Sequence, residues 1–217
     1  ILLFPMQVQF QQLLQMVGVL GIGGTLLIGF QFSVITYPSQ GIRRFINETW
    51  VARQGTPLPQ ETLTLLWSLV VSLYCLGGLV GCLGSSPLAR RIGKKKTLMF
   101  NDVTIVAAAL LLGFSRMANS FEMVMMGRFI YGFSAGICLN IQGPFLSEVS
   151  PEKFRGFAAA STSVFLSLGK ALGQIMGLRY KHYNQHNVIC FPFLFPFSIP
   201  ILFSFSFSSF SMHFSKL

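Results

Sequence analysis

The chain has 217 residues, of which 52% are hydrophobic and only 10% charged, and its mean hydropathy is +0.62. Soluble domains carry about 25% charged residues, so this composition excludes a soluble globular enzyme and describes apolar helices in lipid. The net charge of +10 does not point to nucleic acid, because the dense basic run, Arg90, Arg91, Lys94, Lys95 and Lys96, lies between two apolar stretches and not on a water-facing patch.

A span needs about 20 apolar residues to cross about 30 Å of hydrocarbon, since every backbone polar group must be bonded within the segment. Residues 1–42 carry no charge, which is too long for a cleaved leader and lacks its basic start, so 13–37 reads as the first span. Because it opens on Ile1 and not Met, the chain is expected to be a piece of a longer protein. Between the first span and the next, residues 39–61 read as a polar loop holding Asn47-Glu48-Thr49. That triplet is the acceptor pattern for N-glycosylation, which places the loop outside. The second span, 62–89, is free of charge, and the basic run that follows it marks the cytoplasmic side. The two signals agree on a topology with the N-terminus inside, Asn47 outside and the basic loop inside.

Three further windows complete the series: 97–115 with Asp102 near its start, 121–146 with Glu122 and Arg128 in its first turns, and 156–178 interrupted by Lys170. The expected fold is therefore an all-α integral membrane bundle of five spans, forming one transmembrane unit over 1–178. Residues 179–217 read as a divergent Phe/Ser-rich hydrophobic tail. It is long enough for a sixth span, but Pro192, Pro196 and Pro200 would break its helical ladder repeatedly. Glycines 77, 78, 81 and 84 in the second span, and 132, 136 and 143 in the fourth, are spaced to let helices approach closely.

No grouping supports catalysis. His182, His186 and His213 all lie in the C-terminal segment, away from any nucleophile and base. Cys75, Cys82, Cys138 and Cys190 sit in apolar stretches without CxxC spacing, which indicates neither a metal site nor a disulfide framework. No cofactor is implied. In the fifth span, Ser163, Ser167, Lys170 and Gln174 fall on one helical face. Such a stripe either lines a passage for a polar solute or bonds a neighbouring helix, and its spacing does not choose between the two. A mid-span lysine calls for a carboxylate or water, so Lys170 marks either a solvated cavity or sequence divergence.

The densest pattern lies at 130–155: Ile130-x-Gly132-Phe133-x-x-Gly136, then Phe145-x-x-Glu148, then Arg155-Gly156, introduced by Gly127-Arg128-Phe129 and closed by Ser147-Glu148-Val149-Ser150-Pro151. Arg91-Ile92-Gly93-Lys94-Lys95, the glycine-rich stretch 24–38, Asn47-Glu48-Thr49-Trp50, and Leu63-Thr64-Leu65-Leu66-Trp67-Ser68 with Val71-Ser72 fall in the matching order. Together these motifs resemble the sugar porters of the major facilitator superfamily. Within them the likeness is to the facilitative hexose (glucose/fructose) transporters, in the subgroup that includes fructose transporters, over about residues 18–178.

The resemblance implies twelve spans in two six-helix halves, with the solute site between them. The chain then corresponds to most of a truncated N-terminal half, without the Pro-Glu-Ser-Pro-Arg motif that follows the sixth span. The implied function is uniport of glucose or fructose by alternating access, in a multi-pass protein of the cell membrane, with hexose and the bilayer as partners and no nucleic acid. Ion coupling is not expected, since the first helix has no acidic residue. Glu148 and Arg155 would pair with Arg91, Lys94 and Lys95 around Gly93 as a cytoplasmic gate. Lysine replaces the family's paired arginines there and cannot make a bidentate fork. Ser163 occupies the position of a sugar-contacting glutamine, Gln174 matches a second recurrent glutamine, and Lys170 has no counterpart. Two rival expectations stand beside this one. The chain is a non-transporting membrane fragment that associates with a full-length transporter, or it serves another small organic solute such as urate, for which Lys170 would be the anion partner.

Overall fold

The computed structural model describes residues 14–34, 39–115, 118 and 120–180. The predicted tail from residue 181 onward, with Cys190, the three histidines and the proline run, lies outside the described residues, as does the end of the predicted first span. Every described element is a helix. They are α1 (Leu14–Ser33), α2 (Ser39–Gln54), α3 (Gln60–Ile92), α4 (Lys94–Phe114), α5 (Phe121–Val149) and α6 (Arg155–Tyr180), the last entered through a single 3-10 turn at Glu152–Phe154.

Among the described residues, α1, α3, α4 and α5 are long and apolar enough to cross a membrane. The fifth predicted span is present as the 26-residue α6, long enough to cross but diluted by Ser161, Thr162, Ser163, Ser167, Lys170 and Gln174. The largest departure from expectation is α2. Residues 39–54 are not a loop but a 16-residue helix, because Ile42, Phe45, Ile46 and Thr49 recur at helical spacing and are all buried. Arg44 and Glu48 lie on the opposite side and make an i,i+4 pair at 3.9 Å.

α5 is the hub, packing chiefly on α3 and then on α4, while α1 lies along α6. Backbone contact sets the first of these crossings. A Cβ at Gly77 would strike the Phe129 carbonyl, one at Gly81 the Phe133 carbonyl, one at Gly132 the Tyr74 carbonyl and one at Gly136 the Gly78 carbonyl. Since lipid gives helices no hydrophobic reason to associate, this interlocking supplies dispersion contact in its place. Gly84 and Gly143, on the same two helices, face open space. The α1/α6 crossing repeats the device, with Gly29 against the Leu166 carbonyl and Gly169 against the Leu26 carbonyl.

Within α1, residues Gly21–Leu26 form a π-helical segment with Gly21, Gly23, Gly24 and Thr25 buried. The wider turn leaves backbone groups out of the α-helical ladder. Gln142 of α5 reaches across and donates from Nε2 to the Leu20 carbonyl at 2.8 Å, while its Oε1 accepts from the Cys138 thiol at 3.0 Å. A Cβ at Gly24 would come within 2.6 Å of that Oε1, so a larger residue there would displace the Gln142 amide from its bonds. The π segment also divides the core. Met16, Val17 and Leu20 below it pack with Leu98, Ile137 and Ile141. Ile28 above it joins Ile105, Tyr131 and Ala135.

Candidate functional site

At one end of the bundle, α3 passes into α4 through the single residue Gly93, whose φ of +93° is left-handed and suits glycine. Thr97 fixes the turn by donating both its N–H, at 3.1 Å, and its hydroxyl, at 2.9 Å, to the Gly93 carbonyl. This places Lys94, Lys95 and Lys96 in the first turn of α4, the end of a helix where the dipole disfavours cations. Glu148 lies in the last turn of α5, the end that disfavours anions. Each charge is misplaced for its own helix, and the two meet: Lys94 Nζ donates to Glu148 Oε1. Their side chains are 35% and 61% exposed, so the pair contributes at most about 1 kcal/mol. Of the residues the sequence grouped here, Lys94 and Glu148 are brought together by the turn at Gly93. Lys95 is half-buried, whereas Arg91 and Arg155 are exposed and form no ion pair among the described residues.

Ser163, Ser167, Lys170 and Gln174 all lie on an exposed face of α6. None of the three neutral side chains hydrogen-bonds to another described residue, so the face is not spent on bonding a neighbouring helix within the described bundle. The Lys170 ammonium stands over the Phe32 ring, 5.5 Å from its centroid. Phe32, on α1, is 55% exposed and meets Tyr74 of α3 edge to face at 5.6 Å and 88°. A mid-span lysine costs about 2.5–3.5 kcal/mol on insertion scales, and one cation–π contact at an exposed site returns about 0.5–1 kcal/mol.

Several polar residues escaped the sequence reading. Gln31, beside Phe32, is 3% exposed, and both atoms of its amide lack a partner among the described residues. Arg128, read as a charge near a span end and as part of the Gly127-Arg128-Phe129 motif but given no role at the site, is 1% exposed and lies by Tyr74 and Tyr131. No spacing rule picks out such residues, because each is a lone polar side chain in an apolar helix.

The far end of α5 carries a second ionic contact, also missed. Arg53 of α2 grips Glu122 with a fork, Nη1 to Oε1 at 2.6 Å and Nη2 to Oε2 at 3.3 Å. Ser120 Oγ donates to Oε2 at 2.7 Å, and the guanidinium covers the Phe121 ring at 5.6 Å. The partners are 69 positions apart, beyond any local pattern. Asn47 sits on α2, where its Oδ1 accepts from the Leu58 N–H at 3.2 Å. The Thr49 hydroxyl is buried and donates to the Phe45 carbonyl at 2.7 Å. Among the described residues no group of acidic, histidine and cysteine side chains is arranged to hold a metal ion.

Comparison with known proteins places this architecture. The family model described as "Sugar (and other) transporter" matches residues 17–210, running past position 178 into the tail. Solute carrier family 2, facilitated glucose transporter member 11 of Homo sapiens is 50% identical over 159 residues, covering 73% of this chain and 32% of that protein. Member 9 of Pongo abelii is 42% identical over 156 residues, covering 72% and 28%. The chain thus spans about a third of the length of the curated relatives it matches. The crystal structure of a D-xylose-proton symporter has the same fold, with a TM-score of 0.75 at 16% identity over 89% of this chain and 47% of that one. These relatives are transporters and not enzymes. With its glycine-locked apolar helices and the pattern at 130–155, the chain belongs to the Sugar (and other) transporter family and is a helical membrane protein related to the facilitated glucose transporters.

Proposed function

We propose that this protein serves facilitated movement of a hexose, glucose or fructose, across the cell membrane by alternating access. The observation that carries the reading is the exposed polar face of α6. Ser163, Ser167 and Gln174 offer hydroxyl and amide groups that lipid would leave unpartnered, and that a polyhydroxylated solute would engage. Membership of a transporter family and the names of the glucose-transporter relatives support a sugar as that solute. The Lys94–Glu148 pair then acts at the inner end as a latch between the α3–α4 turn and α5. Its weak net energy suits a contact that must break in every cycle.

The test is uptake of radiolabelled glucose and fructose into proteoliposomes containing the protein, with no ion gradient imposed. Saturable uptake, insensitive to a proton uncoupler and sharply reduced by Ser163→Trp, is the expected result. A second reading, a non-transporting partner of a full-length relative, is favoured by the fact that nothing in the described bundle covers the polar face of α6. Absence of flux together with stoichiometric co-purification with such a relative would replace the first reading by the second.

A further inference from the structure

Lys170 occupies the tightest part of the α1/α6 crossing. A Cβ at Gly29 would approach its backbone nitrogen at 3.0 Å, and the neighbouring Gly169 abuts the Leu26 carbonyl. Counted along the helix, Lys170 is about 22 Å from Arg155 and about 15 Å from Tyr180, which keeps it well inside the span. A long lysine stem reaches an interface from the last turn of a helix, but not from here.

The chain has six acidic residues, all of them described and none near Lys170 as a partner. Glu48, Glu122 and Glu148 pair with Arg44, Arg53 and Lys94. Asp102 is buried on α4, which packs chiefly on α5. Glu61 and Glu152 are exposed at the starts of α3 and of the turn before α6. The ammonium of Lys170 has the Phe32 ring on one side, and its side chain is otherwise open on the polar face. Among the described residues this cation, at mid-depth beside an aromatic wall, has no carboxylate partner, and it is placed to receive the anionic group of a solute.

The neighbours on that face define the rest of the ligand. Ser167 lies one turn before Lys170 and Gln174 one turn after it, at the about 5–6 Å separation of helical i,i+3 and i,i+4 pairs. The three therefore line about 10 Å of one helix face, the span of a six-membered ring with its exocyclic oxygens and the reach of the flanking side chains. We propose that Lys170 makes this site selective for a sugar that bears a carboxylate, a hexuronate, with the carboxylate on Nζ and the ring hydroxyls on Ser167 and Gln174. The assignment rests on the reading of the α6 face as the solute path, and replaces glucose or fructose by a hexuronate as the preferred solute of that path.

The experiment is equilibrium binding of radiolabelled D-glucuronate and D-glucose to the full chain in lipid nanodiscs, for the wild type, Lys170→Arg and Lys170→Ile. The wild type is expected to bind glucuronate at least tenfold more tightly than glucose. That preference is expected to fall at least tenfold in K170I and to survive in K170R. The wild-type ratio needs no variant, so a misfolded substitution cannot obscure it. Glucose binding without glucuronate binding overturns the anion assignment and leaves the hexose reading standing. A glucuronate preference that K170I leaves intact also overturns it, since the charge would then be idle. Binding of neither sugar to a folded chain removes the solute path itself, and this assignment with it.

Discussion

At Gly132 the size of one side chain decides how closely two helices approach. The atom that a new methyl group would meet is the Tyr74 carbonyl oxygen, which belongs to the backbone and has no rotamer by which to move aside. Gly132→Ala must therefore push α3 and α5 apart along their whole crossing, at an expected cost of about 1–3 kcal/mol. Gly84→Ala meets nothing within 4 Å and only gains helix propensity, so it should hold or slightly raise stability. Thermal unfolding of both variants in detergent checks this, and equal shifts would remove the close-approach account. The sequence showed that glycines four apart favour tight packing, but not which glycines touch. Gly84 and Gly143 belong to the same glycine series and meet nothing, because which glycines face the crossing depends on both helices at once.

Among the elements, α2 shows where hydropathy misleads. Arg43, Arg44, Glu48 and Arg53 dilute the segment enough to hide it from a span-seeking window, although Ile42, Phe45 and Ile46 repeat as an amphipathic helix should. The helices outrun the predicted spans for a related reason. Charged residues ended the predicted windows, yet α3 continues through Arg90 and Arg91 to Ile92, and α5 through Glu148 to Val149, because a helix may leave the hydrocarbon without ceasing to be a helix. α2 is held by its apolar stripe and by the exposed fork from Arg53 to Glu122. The stripe remains when the fork is cut. Arg53→Ala should thus lower global stability by no more than about 1 kcal/mol while speeding amide hydrogen exchange in residues 39–54. Unchanged exchange there would show that the fork contributes nothing to docking.

For the whole molecule, α5 carries an ionic contact at each end, Glu122 at its first turn and Glu148 at its last. The Lys94–Glu148 contact was partly legible, since Glu148 was grouped with the lysines of the α3–α4 turn. That Lys94 makes the pair with Glu148 was not, because the turn at Gly93 decides how the lysines are presented. A double-mutant cycle separates the pair from background charge. Lys94→Glu and Glu148→Lys should each alter the hexose uptake rate, and the swapped double variant should recover it, with a coupling of about 0.2–1 kcal/mol. A double variant no better than either single one would leave the latch without support. The π segment of α1 has a consequence for how this chain tolerates change. An extra residue in one turn rotates everything beyond it by about 100° relative to a regular helix, and α1 uses that rotation to address one core cluster with Leu20 and another with Ile28. Deleting a single residue from Gly21–Leu26 would leave a more regular helix in isolation, yet turn its upper half away from α6. Natural variants of this protein should accordingly accept substitution within the segment, at Ile22 for instance, far more readily than any change in its length.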